Sequence, residues 1–248
     1  MSSLSRIILL QAAATMALAA APVFWFQGRS VRRRTPRLDE ANGERSGILA
    51  GSAPAYRIIG LGESPMAAVG LAKQSQGVIP QLATELAAAS GQRVTWQTAA
   101  QSGATARFTT ENLLRRVDTD PTDLVVIGLG VNDTLALSSA KRWEQDLQQL
   151  LDAIRRRLDP KRIIVTGVPP MQHFPALPFP LSAMLGLRAA LLDSVLQCLT
   201  EHDADLLHAP MRFTDRPDGM FCSDGFHPNA TAHKTWARQL AKLLDVKP

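Results

Sequence analysis

Hydrophobic positions along the chain fall into two regimes. Over residues 7–26 they run almost unbroken, interrupted only by Gln11, Thr15 and a late Pro22. That is long enough for a helix of about 30 Å, the thickness of a bilayer core. From Tyr56 onward, short apolar runs alternate with longer stretches of helical period. Ile58, Ile59 and Leu61 predict a buried strand. Gly60 and Gly62 allow a tight turn after it, leading to Ser64 and a helical segment begun by Pro65. Residues 79–89 predict a helix stopped by Ser90-Gly91, and residues 94–98 a strand. Residues 110–117 predict a helix with Leu113, Leu114 and Val117 inward, and residues 124–127 a strand buried on both faces. A strongly amphipathic helix spans 143–158 and ends at Asp159-Pro160. A strand over 162–168, a helix over 185–199, a last strand over 205–207 and a closing helix over 231–244 complete the pattern. Strands separated by helices predict a central parallel sheet covered on both faces. The expected fold is therefore α/β, three-layer α/β/α, preceded by an N-terminal hydrophobic helix.

Composition adds little until charge is located. The chain has 248 residues, 46% hydrophobic and 20% charged, which suits a globular protein with a sizeable core. Its net charge of +5 is local, because Arg29, Arg32, Arg33, Arg34 and Arg37 account for all of it. A nucleic-acid surface would interleave basic and aromatic residues over a folded face, so no nucleic-acid partner is expected. Beside the apolar run, the arginines read as the flank of a signal anchor or a signal peptide, with Trp25 and Phe26 at an interface. Only Arg6 stands in front of the run, although residues 17–21 offer a cleavage site. The anchor suits the full length better. Five arginines after the run and one before it favour the cytoplasmic face of a bacterial inner membrane. Periplasmic or secreted protein after signal cleavage is the alternative. The expected organisation is a hydrophobic segment over 1–28, a basic tether with Pro and Gly over 29–54, and a folded domain over 55–248.

Polar residues at the predicted strand ends carry the candidate chemistry. After the first strand comes Gly62-Glu63-Ser64, and after the second Ser102-Gly103-Ala104-Thr105. Gly130-Val131-Asn132-Asp133 follows the third. Asp224-Gly225-Phe226-His227 precedes the closing helix. Asp and His three apart in a loop can fold so that the carboxylate holds one imidazole nitrogen and the other is left as a base. His173, His202, His208 and His233 read as structural or merely exposed. The histidines and the two cysteines, Cys198 and Cys222, show no metal-ligand spacing, so no metal and no cofactor are expected. Whether the cysteines pair would report on the compartment.

Taken in order, these four blocks resemble the SGNH (GDSL) hydrolase family, in its bacterial esterase-like form, over roughly residues 56–244. The resemblance implies a serine esterase with catalytic Ser64, Asp224 and His227. It also implies an oxyanion hole from the backbone N–H groups of Ser64 and Gly103 and the side chain of Asn132. One departure stands out: Glu63 occupies the place where the family usually has Asp. The expected partners are a small-molecule acyl ester, short- to medium-chain or aryl, and a membrane through the N-terminal segment. A carbohydrate acetylesterase, thioesterase or lysophospholipase of the same fold is an alternative. So are a non-catalytic acyl- or sugar-binding protein and a membrane-tethered interaction domain. Residues 168–181, with five prolines among Met171, Phe174, Leu177, Phe179 and Leu181, are expected to overhang the site, either lining it or packing as core.

Overall fold

The computed structural model describes residues 3–17, 21–201, 203–211 and 219–244. His202 and the 18–20 part of the expected cleavage site lie outside them. Six strands form one sheet: β1 Ser46–Leu49, β2 Ser52–Gly62, β3 Gln92–Ala100, β4 Leu124–Gly128, β5 Arg162–Thr166 and β6 Leu206–Ala209. Their spatial order is β1-β3-β2-β4-β5-β6. All pairs are parallel except β1 with β3. The helices are α1 Ser3–Ala17, α2 Ala21–Arg34, α3 Val78–Ser90, α4 Ala106–Phe108, α5 Val131–Leu135, α6 Ala140–Leu158, α7 Leu181–Glu201 and α8 Ala230–Leu243.

Period-2 alternation along the strands separates two cores. Ile59, Leu61, Val125, Ile127, Ile163 and Val165 face one way, onto α6 and α7. Ile58, Leu124, Val126 and Ile164 face the other way, onto α3 and α8. This is the expected three-layer arrangement. Its capping chemistry is local: Gly91 ends α3 in the left-handed region at φ 67°, and Ser139 Oγ accepts from Arg142 N–H at the start of α6.

Three expectations are corrected. The helix expected over 110–117 begins earlier, at α4, and continues as a wide turn over Thr109–Leu113 and a tight one over Leu114–Arg116. Thr109 and Thr110 each return a hydroxyl bond to the carbonyl four residues back, which competes with regular helix geometry. Ser64 is followed by turns rather than a helix, with bonds from Ala68 N–H to Pro65 O and from Val69 N–H to Ser64 O.

Within the span of the helix expected over 7–26, the described residues are helical in α1 and α2, and α1 lies along α7. Among the described residues, the helix long and apolar enough to cross a membrane by length and composition is Leu181–Thr200, more than half of it buried in the core.

Finally, residues 29–54 do not form a free tether. α2 runs to Arg34, Glu40 and Asn42 bridge to Val69 and Lys73, and β1 covers the outer edge of β3. Glycines that read as flexible are there for close approach. A Cβ on Gly51 would sit 2.2 Å from the Gln92 carbonyl carbon, and one on Gly47 2.7 Å from the Trp96 indole nitrogen.

Candidate active site

Every predicted site residue lies at the carboxyl edge of the sheet or in the loop before α8. Asp224 and His227 form the tightest pair. Asp224 Oδ2 meets His227 Nδ1 at 2.5 Å, while Asp224 Oδ1 accepts from the backbone N–H groups of Phe226 and His227 at 2.9 and 3.0 Å. The carboxylate is thus held by its own loop and in turn fixes the imidazole, leaving Nε2 as the remaining ring nitrogen. Phe226 supports the ring edge-on at 5.3 Å, and Phe174 packs on Phe226 at 5.1 Å.

Ser64 opens the turns after β2 and is buried. It shares with His227 the lining of a cavity of about 50 Å³, walled by Leu129, Phe174, Phe221 and Trp236. Gly103 has φ +84°, and a Cβ there would meet nothing within 4 Å. Among the described residues, the N–H groups of Ser64 and Gly103 donate no hydrogen bond. Asn132 stands in the first turn of α5, after Gly130, whose φ of +122° and contact with Val168 require glycine. It is brought near but not into the cavity lining. Both hydrogens of its amide are taken, one by Glu63 Oε2 at 2.5 Å and one by Ala104 O at 3.1 Å.

Glu63 explains that geometry. Its carboxylate is fully buried and reaches across from β2 to α5, accepting from Val131 N–H at Oε1 and from Asn132 N–H at Oε2, both at 2.9 Å. Burial pushes its pKa up to about 8, against the pull of the Asn132 and Val131 donors. Asp133 is also buried and is raised to about 7, chiefly by desolvation.

Two further groups were invisible to sequence reasoning because they lie in the supposed tether. Glu40 Oε1 accepts from Ser102 N–H at 2.9 Å, and its other oxygen pairs with Arg45. Arg45 Nη1 in turn donates to Ala100 O at 2.6 Å. Together they brace the loop carrying Gly103. Nothing in a Pro- and Gly-containing segment marks such a role.

The Pro-rich segment divides its duties. Met171 is fully buried, Phe174 and Leu177 nearly so, and Phe179 is exposed. Phe174 lines the Ser64 cavity, while Leu177 and Leu181 line a groove that His227 also borders. Of the remaining histidines, His208 pairs with Asp193 at 2.9 Å and His173 lies on a surface turn. The buried His233 ring has no hydrogen-bond partner among the described residues, and burial lowers its pKa to about 4. No disulfide joins Cys198 and Cys222.

Residues 61–235 match the GDSL-like lipase/acylhydrolase family. Over 174 residues the chain is 29% identical to a GDSL-like esterase of Mycobacterium tuberculosis, covering 65% of this chain and 52% of that one. The chain therefore spans about half the length of the curated relative it matches. Among solved structures it resembles a lipase/acylhydrolase from Enterococcus faecalis with a TM-score of 0.59 and 17% identity, over 76% of this chain and 95% of that one. It also resembles a family 3 carbohydrate esterase of Clostridium thermocellum, at 0.58 and 16%, over 76% and 94%. At such identities the likeness to solved structures is one of fold.

Proposed function

The chain belongs to the GDSL-like lipase/acylhydrolase family, and from that premise we propose that it hydrolyses short-chain carboxylic esters through an acyl-serine at Ser64. The observation that carries this reading is the Asp224–His227 pair, whose free imidazole nitrogen belongs to a ring that shares one cavity with Ser64.

A serine hydroxyl is a poor nucleophile until a base takes its proton as it attacks. In the proposed reaction Ser64 Oγ bonds to the ester carbonyl carbon while His227 Nε2 accepts the hydroxyl proton. Asp224 stabilises the imidazolium and holds its tautomer. Collapse of the tetrahedral intermediate breaks the bond to the alcohol oxygen, which leaves with the proton from His227. Water then attacks the acyl-serine, with His227 again as base, releasing the carboxylic acid and restoring Ser64.

The unengaged N–H groups of Ser64 and Gly103 suit the oxyanion. Asn132 joins them by exchange: a full negative charge is a stronger acceptor than the neutral carbonyl of Ala104, so the developing oxyanion draws one amide hydrogen away. A cavity of about 50 Å³ has room for roughly three to five water-sized groups, which favours acetyl to butyryl over longer acyl chains.

The test is hydrolysis of p-nitrophenyl esters of graded acyl length by the purified full chain. Ser64→Ala and His227→Ala are expected to abolish turnover. Asn132→Ala is expected to lower kcat by about 10²–10³, the typical cost of one oxyanion donor. Full activity in Ser64→Ala would refute the nucleophile, and an optimum at long acyl chains would refute the short-acyl assignment.

A further inference from the structure

Two cavities meet at His227, and they differ greatly in size. The one shared with Ser64 is about 50 Å³. The other is a groove of about 760 Å³, lined by His227 and Asp224 but not by Ser64. Leu177, Leu181 and Met184 form one side of this groove. Its outer wall is α2, through Phe24, Gly28 and Val31, an element that precedes the family match altogether. Phe24 and Val31 pack α2 against the core, and Gln27 ties it there by hydrogen bonds. Gln27 Nε2 donates to the Phe179 carbonyl at 2.8 Å, and Gln27 Oε1 accepts from the Leu181 N–H at 3.0 Å.

Acyl transfer sorts the halves of an ester between these spaces. In the intermediate the acyl carbon is bonded to Ser64, so the acyl group lies where Ser64 lies. The departing alkoxide takes its proton from the same His227 Nε2, so the alcohol lies against that imidazole, which lines both spaces. Resting on the serine-esterase reading above, we infer that the groove walled by α2 is the alcohol site, and that the substrates are short-chain acyl esters of large, apolar alcohols. The N-terminal helix is then part of the binding site and not merely an attachment.

Gly28 is the position at which to test this. A Cβ there would meet nothing within 4 Å, so a side chain can enter the groove from this position. The experiment follows acetate release from ethyl, butyl and octyl acetate by the full chain in a fixed concentration of non-ionic detergent. These alcohols have nearly equal acidity, so only the space they fill changes along the series.

In the native chain kcat/KM is expected to rise at least tenfold from ethyl to octyl acetate. Gly28→Trp should remove most of that rise, and Gln27→Ala, which removes both of those hydrogen bonds, should reduce it. Circular dichroism and the melting temperature of the same preparations report that the variants are folded.

A rise that survives Gly28→Trp would overturn the assignment. So would a flat profile, or a Gly28-sensitive dependence on acyl length from ethyl acetate to ethyl octanoate. Ethyl acetate hydrolysis that persists in Ser64→Ala would instead sink the serine reading beneath it. A flat profile in a Ser64-dependent enzyme sinks the groove alone.

Discussion

Glu63 is where a single side chain changes what the site can do. Three N–H donors converge on its two oxygens, so the carboxylate joins the β2 turn to α5 and holds the Asn132 amide in one orientation. An aspartate is one methylene shorter and cannot reach all three. Glu63→Asp is therefore expected to leave at least one buried donor unpaired, at about 1–3 kcal/mol of stability, read from urea unfolding.

The same residue gives the protein a pH dependence. Glu63 is raised from 4.5 to about 8 and Asp133 from 3.8 to about 7, so between those limits the folded protein holds protons that the unfolded chain has released. The stability contributed by these neutral carboxyls is whole below about pH 4 and is lost as pH climbs toward 8. The melting temperature should fall across that range, and Glu63→Gln should flatten the fall. An equally steep decline in the variant would show that Glu63 is not its source. At this scale the four blocks were legible because each pairs a chemical group with a turn. The partner of Glu63 was not, since nothing local says where a buried carboxylate finds its donors.

At the scale of elements, the parallel strands and the long helices follow directly from period and capping. Fully apolar runs such as 124–127 have no other stable place than the middle of a covered sheet. The irregular stretch after α4 departed from its pattern because threonine hydroxyls competed for the backbone. β1 escaped notice for a different reason. Its glycines signal looseness locally, yet long-range contact with Trp96 and Gln92 is what requires them. Gly51→Ala forces a Cβ against immovable backbone and is expected to cost at least about 1–3 kcal/mol, read from denaturant unfolding. A change within error would mean that β1 is held only loosely.

At the scale of the whole molecule, α2 carries three exposed apolar side chains within four residues, and Phe179 and Leu137 lie beside it. Val23, Trp25, Phe26, Leu137 and Phe179 are exposed, and Arg29, Arg32, Arg33 and Arg34 lie on the same helix as the first three. We propose that this face meets an anionic membrane surface, through the combination of apolar burial and charge that interfacial helices use. The full chain should sediment with phosphatidylglycerol vesicles, less so at high salt and less so again in a Trp25→Ser, Phe26→Ser double variant. Binding indifferent to both salt and the double variant would refute it.

The placement of β1 also bears on how the protein can be handled. A recombinant fragment cut to the family match would begin at Leu61, inside β2, and a more generous one begun at Tyr56 would still lack β1. Either would leave the outer row of N–H and C=O groups on β3 with no neighbour. Such a row recruits strands from other molecules, so fragments trimmed to look tidy should precipitate, whereas one that keeps residues 40–55 should stay monodisperse. Four residues of edge strand act here as a guard against self-association.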